Sequence, residues 1–377
     1  MGHNSLLSPS DASRVNLVVG RHVPWISSRS SGTGVWELDQ IDVKRTRRPK
    51  ATLRTVAEAT GLAITTVSRA LANDPRIAQA TRQRVSEAAL AQGYVPDRAA
   101  QRLRTGRTKV IQLLLNLDHE FLGFTQELIG GMSEVLAGTG YSVTIFPDAL
   151  QSDRLAAIKQ IVENRLGDAV IFNRTEPDDA RVKYLTEQDF PFVCHGRTEL
   201  GIAHPYVDFD NDAFAQMAMR RLASKGRKRI LFILPPKRFC FSTHLRNGAM
   251  QAAEELGILC EIPDTITIDA PPAETVAWLR RRFDSADRPD GIICVGEVAA
   301  VSALAAITDS GMRYGTDIDV FAKRASEIFG LLRPHIDTVF EDLRNAGRAM
   351  GETVLKSMAG EVGSALQVLH RPLAEFT

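Results

Sequence analysis

The chain has 377 residues, 44% apolar and 24% charged, a composition of soluble globular domains that excludes a fibrous protein and suggests two or three domains. Its formal net charge of +1 hides an asymmetry: residues 44–109 carry fifteen Lys/Arg against four Asp/Glu, so a segment of +11 sits on a remainder of −10. A compact basic segment on an acidic body points to a polyanionic partner.

In chain order, residues 1–43 come first, with clusters such as SSRSSGTG and no helical or strand period, and they are expected to be disordered. Three short helices follow from Thr52: Leu53–Ala59, Ile64–Leu71 and about Thr81–Ala91. Val56, Val67, Leu71, Val85 and Leu90 recur at helix spacing and are expected to close a small core. Gly61 permits the tight turn between the first two helices. This pair is either a hairpin that merely packs, with solvated outward side chains, or a helix-turn-helix whose second helix, ITTVSRAL, enters a major groove. In the second case Val67, Ala70 and Leu71 face inward. Ile64, Thr65 and Arg69 are then free to meet base edges, Arg69 as a bidentate donor to guanine. Thr52 and Thr66 suit phosphate contacts, which position without specifying.

After Pro96 comes the basic stretch DRAAQRLRTGRTK, broken by Gly106, and beyond Lys109 the pattern changes to alternating strands and helices. Strands are expected at Val110–Leu117, Ser142–Phe146, Ala169–Phe172, Phe192–His195, Arg229–Leu234, Gly291–Val295 and Ile318–Phe321. Helical patterns lie between them, so parallel βαβ units should form two similar halves. Each would be a doubly wound sheet with ligand at the strand C-termini. The run GIICVGEVAAVSALAAI carries Glu297 and breaks at Gly296, so it reads as strand-turn-helix rather than a membrane span. Cys194, Cys240, Cys260 and Cys294 stand singly, indicating neither a zinc module nor a disulfide framework, and imply a reducing cytoplasm.

Residues Thr52–Leu103, TLRTVAEATGLAITTVSRALANDPRIAQATRQRVSEAALAQGYVPDRAAQRL, closely resemble the DNA-binding headpiece of the lactose-repressor (LacI/GalR) family of bacterial transcription regulators. VAxxxG, TVSRAL, TRxRV, GYxP and AxxL occur in the family's order and spacing. The 270 or so residues that follow resemble the family's two-lobed effector domain. The implied fold is an α helix-turn-helix headpiece (44–96), a hinge element (97–108) and an α/β, two-lobed, periplasmic-binding-protein-like domain with doubly wound parallel sheets (109–377). On this resemblance VKRTRRPKATLRTV, from Val43, reads like a natural start, so residues 1–43 are expected to be a disordered or non-native extension.

The resemblance also implies roles. Ile64, Thr65 and Arg69 would read bases; Thr52, Thr66, Ser68 and Thr81 would touch the DNA backbone. Arg98 and Leu103 fall in the hinge element, whose leucine wedges into a minor-groove step. Three positions depart from the family pattern: Ala63 and Ala78 stand where serines open helices, and Ala72 replaces an asparagine. In the effector domain the C-lobe should run from about Asp208 to Phe321, with return to the N-lobe after roughly His335. Phe121 and Phe124 either stack on a sugar or one of them is core; His195 and Arg197 end the strand PFVCH. Leu245 occupies the family's usual arginine position three residues before Gly248, with His244 and Arg246 beside it. Glu297, in place of a common aspartate, is expected to cap its helix. His195, Arg197, Arg246 and Lys323 form either a cationic pocket for an acidic or phosphorylated carbohydrate or a set of cations solvated or paired with acids.

The expected function is a sequence-specific transcription regulator, a repressor by family logic, and not an enzyme. It would act as a homodimer on near-palindromic double-stranded operator DNA, under control of a sugar or sugar-derivative effector, with no cofactor, metal or membrane. Its expected place is the bacterial cytoplasm, on the nucleoid when bound. The rival readings are a cytoplasmic solute-binding receptor with the same two lobes and a nucleotide-binding α/β enzyme. Against the enzyme, the chain has no G-x-x-x-x-G-K-[ST], G-x-G-x-x-G or H-E-x-x-H motif.

Overall fold

The computed structural model describes residues 51–95, 97, 102–103, 105–115, 124–147 and 153–375. Two compact units divide between Tyr94 and Val95. In the first, α1 (Leu53–Thr60), α2 (Ile64–Leu71) and α3 (Gln79–Ala91) pack on one another. Helix α1 opens on a capping box: the Thr52 hydroxyl accepts from the Thr55 amide and the Thr55 hydroxyl accepts from the Thr52 amide. It ends at Gly61, whose φ of 65° is the left-handed conformation that closes a helix.

Val56, Ala57, Val67, Ala70, Val85 and Ala89 form the headpiece core. Leu90, expected in that core, is 85% exposed. The buried stripe of α3 runs from Val85 to Ala89, four residues apart, and Leu90 lies one helical step, about 100°, off it.

The second unit holds two six-stranded sheets. The N-lobe sheet takes β1 (Val110–Leu115), β2 (Ser142–Pro147), β3 (Ala169–Asn173), β4 (Phe192–His195), β5 (Tyr206–Phe209) and β11 (Gln367–His370), ordered β11-β5-β4-β3-β1-β2, all parallel. The C-lobe sheet takes β6 (Arg229–Ile233), β7 (Leu259–Glu261), β8 (Gly291–Cys294), β9 (Asp319–Arg324), β10 (Asp337–Phe340) and β12 (Leu373–Glu375). Their order is β12-β10-β9-β8-β6-β7, with only β12 antiparallel. Central strands such as AVIFN and GIIC are buried throughout, as strands covered by helices on both faces must be.

The covering helices are α4 (Phe124–Leu136), α5 (Arg154–Glu163) and α6 (Ala180–Glu187) in the N-lobe; α7 (Asn211–Ser224), α8 (Cys240–Leu256), α9 (Pro272–Phe283), α10 (Glu297–Asp309) and the single turn α11 (Ile328–Leu331) in the C-lobe; and α12 (Leu343–Met358). Glycines set the closest helix pairs. A Cβ on Gly131 would stand 1.9 Å from the Arg344 carbonyl oxygen, and one on Gly248 2.3 Å from that of Asp212, so α4 meets α12 and α8 meets α7 backbone to backbone.

The chain crosses between lobes three times. It leaves the N-lobe sheet after Phe209, and α7 packs on α8 in the C-lobe. The return comes later than the expected His335: β10 still belongs to the C-lobe sheet, and the chain crosses at Glu341–Asp342 before α12 packs on α4. After β11 it crosses again so that β12 closes the C-lobe sheet. The two short terminal strands escaped the sequence reading because three or four residues show no usable period.

Candidate functional site

In the headpiece, Ile64, Thr65 and Arg69 all lie exposed on α2 while Val67 and Ala70 are buried beneath them. Ile64 keeps 47% of its surface exposed. Thr66, Ser68 and Thr81 are half-buried and Thr52 is exposed. No side chain caps α2 or α3: Ala63 and Ala78 occupy the N-cap positions with extended-type backbone but no hydroxyl to offer. Ala72 is the C-cap of α2, and Asn73 beyond it takes φ 55°. Leu103 is 90% exposed. Arg98 lies outside the described residues, as does Phe121.

The second constellation is a cleft between the lobes, enclosing about 620 Å³ of non-atom space, part of it open to solvent. It is built where doubly wound sheets place their sites, at strand C-termini: Asn173 ends β3, His195 ends β4, Phe209 ends β5, Val295 follows β8, Lys323 lies near the end of β9 and Glu341 follows β10. Of the effector residues expected from sequence, Phe124, His195 and Lys323 line it. Phe124 and His195 pack with ring centroids 5.7 Å apart, so Phe124 is both core and wall. Burial holds the His195 pKa below the ordinary histidine value.

Of the two readings open for His195, Arg197, Arg246 and Lys323, pairing with acids is what Arg197 and Lys323 show. The Lys323 ammonium, only 7% exposed, lies 2.8 Å from a Glu341 carboxylate oxygen and 3.2 Å from Asn211 Oδ1, over the Phe209 ring at 4.8 Å. Arg197 is not among the lining residues; its guanidinium stands 3.3 Å from Asp208, and its carbonyl accepts from Thr175 Oγ1. Arg246 is not among the lining residues either; it lies on α8 one step around from the buried Leu245, with its charge near Cys260 and Asp264. Asp208 is buried with Oδ2 lacking a hydrogen bond, and burial raises its pKa to about 6 despite Arg197. Among the described residues, each arginine and lysine on or beside the cleft therefore has an acid within reach. Arg174, also in the wall, is joined to Asp269 by two hydrogen bonds of 2.8 and 2.9 Å.

Glu297 does not cap its own helix. Its Oε1 accepts from the Ala325 and Ser326 amides and the Ser326 hydroxyl, so it fixes the turn after β9. Leu245 is core, and Gly248 beside it serves helix packing. Asn173, Arg174, Asp208, Phe209, Asn211 and Glu341 were missed from sequence. A usable signal, a polar residue within two positions of an expected strand end, was available only for Asn173 and Arg174; Asp208, Phe209 and Asn211 depend on β5 and Glu341 on β10, two strands not expected from sequence. Among the described residues no helix is long and apolar enough to cross a membrane.

Comparison with known proteins agrees with this architecture. Residues 52–97 match the family described as bacterial regulatory proteins, lacI family, and residues 219–375 match the periplasmic binding protein-like domain. The HTH-type transcriptional regulator AglR of Rhizobium meliloti (strain 1021) is 30% identical over 318 residues, 82% of this chain and 87% of that protein. The lac repressor dimer bound to operator and the anti-inducer ONPF superposes with a TM-score of 0.72 at 20% identity, covering 87% of this chain and 98% of that one. The transcriptional regulator CelR in complex with cellobiose gives 0.62 at 23% identity, covering 86% and 98%. With a helix-turn-helix unit, a two-lobed unit and a regulator as relative across most of its length, the chain belongs to the lacI family of bacterial regulatory proteins and is a transcriptional regulator.

Proposed function

We propose that this regulator is a homodimeric repressor that reads a near-palindromic operator and is controlled by a neutral carbohydrate held between its lobes. For DNA, the supporting observation is the exposed face of α2: Ile64, Thr65 and Arg69 point outward over a core that fixes their direction. Thr52, Thr66, Ser68 and Thr81 would meet phosphates, and Leu103, with Arg98 in the 97–108 hinge element, would wedge the minor groove. The Thr52 hydroxyl already accepts a bond within the capping box, so it would serve phosphate by donating its proton.

For the effector, the single observation that carries the reading is charge balance in the cleft. Lys323 is matched by Glu341, Arg197 by Asp208 and Arg174 by Asp269, so an anionic ligand would meet acids already in place. Hydroxyl groups instead can donate to Asp208 and Glu341 and accept from Lys323, against the Phe124, Phe209 and Phe241 rings. The cellobiose carried by the similarly folded CelR complex is of this class. Effector binding would shift DNA affinity by a coupling energy, typically about 1 to 3 kcal/mol.

The test is a selection of binding sites from random duplex DNA, followed by titration with neutral sugars and their uronic acids. Arg69→Ala should relax preference at one base pair per half-site by about 1–3 kcal/mol and leave the other positions alone. A uniform loss at every position would refute the base-reading assignment. Release or tightening by a uronic acid alone would refute the neutral-ligand assignment.

A further inference from the structure

We infer that Arg174 and Asp269 form a latch between the lobes, so that closure is held by the chain itself and a ligand acts on a cleft already fastened at its wall. Arg174 directly follows β3 in the N-lobe, whereas Asp269 precedes α9 in the C-lobe, next to Ile268, whose amide is bonded to the Leu234 carbonyl beyond β6 at 3.0 Å. Their side chains are 8% and 15% exposed and meet as a two-bond fork, Nη1 to Oδ2 at 2.8 Å and Nη2 to Oδ1 at 2.9 Å. That fork is the most directional ion pair proteins make.

The surroundings reinforce it. The Arg174 guanidinium lies 5.3 Å from the ring centroid of Phe239, a C-lobe residue 1% exposed just before α8, with Arg154 at 5.5 Å and Arg238 at 4.7 Å over the same ring. One residue on, the Cys240 amide donates across the lobes to the Thr175 carbonyl at 2.9 Å. The Arg174 backbone itself is unusual: φ is 55°, a left-handed conformation disfavoured for a residue with a Cβ. Its carbonyl is gripped there by Arg154 at 2.9 Å and by Arg181 at 3.1 Å. A disfavoured backbone held by two guanidinium groups, aiming a third across the interface, is the mark of a residue placed for a task.

Among the described residues lining the cleft, Arg174 is therefore the one whose side chain is ion-paired to the opposite lobe. A neutral ligand leaves the fork intact and adds its own contacts to closure. A carboxylated ligand competes with Asp269 for the guanidinium and loosens it. Removing one partner leaves a charge unpaired in the closed interface, whereas the opened form returns it to water, so the equilibrium moves toward opening.

Hydrogen-deuterium exchange on the full-length protein without added ligand tests this, read at the Cys240 amide and at amides in the middle of α7 as control. Arg174→Met and the near-isosteric Asp269→Asn should each speed Cys240 exchange at least tenfold while the α7 amides hold. The double variant should be no faster than the faster single. Unchanged exchange at Cys240 in Asp269→Asn, effects that multiply in the double variant, or equal acceleration at α7 would each overturn the latch. Because no ligand is present, the outcome is independent of whether the cleft binds carbohydrate.

Discussion

Ala63→Ser is the most informative single substitution in the headpiece. Ala63 stands at the N-cap of α2 with φ −64° and ψ 145°, and its carbonyl already accepts from the Val67 amide at 3.0 Å, so the helix begins there without a side-chain cap. A serine hydroxyl at this exposed position would accept from the Thr65 or Thr66 amide, as Thr52 accepts from Thr55 in α1 at 3.3 Å. The gain should be about 1 kcal/mol, within the usual span of about 0.5–2 for such caps. That is roughly a fivefold slower opening of α2 by native-state hydrogen exchange, since about 1.4 kcal/mol is tenfold. Thr52→Ala, the mirror perturbation, should lose a similar amount from α1. The added hydroxyl can also reach a phosphate, which carries no sequence information, so fluorescence-anisotropy titrations should show the same tightening on operator and on unrelated duplex DNA. No slowing of α2 exchange, or an affinity change confined to one base position, would refute the reasoning.

Other perturbations probe the two-lobed unit. Glu341→Gln strips Lys323 of its partner at 2.8 Å in a nearly closed site, and should cost about 3–5 kcal/mol of stability in urea unfolding at neutral pH. Asp208 has its folded pKa raised to about 6, above its unfolded value of 3.8, so the folded state holds that proton more tightly. Its contribution to stability is therefore present below about pH 4 and lost as pH rises to about 6. Asp208→Asn should flatten that part of the stability-pH curve, and an unchanged slope would count against the buried carboxyl. Gly248→Ala places a methyl 2.3 Å from the Asp212 carbonyl and forces α7 and α8 apart. The expected loss is about 1–3 kcal/mol or more, visible as a lower denaturant midpoint, whereas at an ordinary helix position alanine would stabilise.

Sequence and tertiary structure contributed differently to the headpiece and the cleft. The headpiece is local: Gly61, the periodic Val56, Val67 and Val85, and the outward Ile64, Thr65 and Arg69 are related by helix geometry over a few turns, so their spacing already states their direction. Its one error, Leu90, came from a residue a single step off the stripe, a difference that Ala89 settles only when the three helices pack. The seven main strands of the two-lobed unit were equally visible, since continuous apolar runs between helices have few other readings.

What the order of residues could not state was which charge meets which. Lys323, on β9, and Glu341, just after the neighbouring β10, are eighteen positions apart, and Arg174 and Asp269 belong to different lobes and lie 95 positions apart. Read along the chain, His195, Arg197, Arg246 and Lys323 are four cations; folded, three lie in or beside the cleft, two of those are ion-paired, and Arg246 is elsewhere. Composition, periodicity and motif spacing thus determined that the chain pairs a helix-turn-helix unit with a doubly wound binding unit. The character of the cleft was decided only in three dimensions, because the field at a site is a sum over distances in space and the sequence records only distances along the chain.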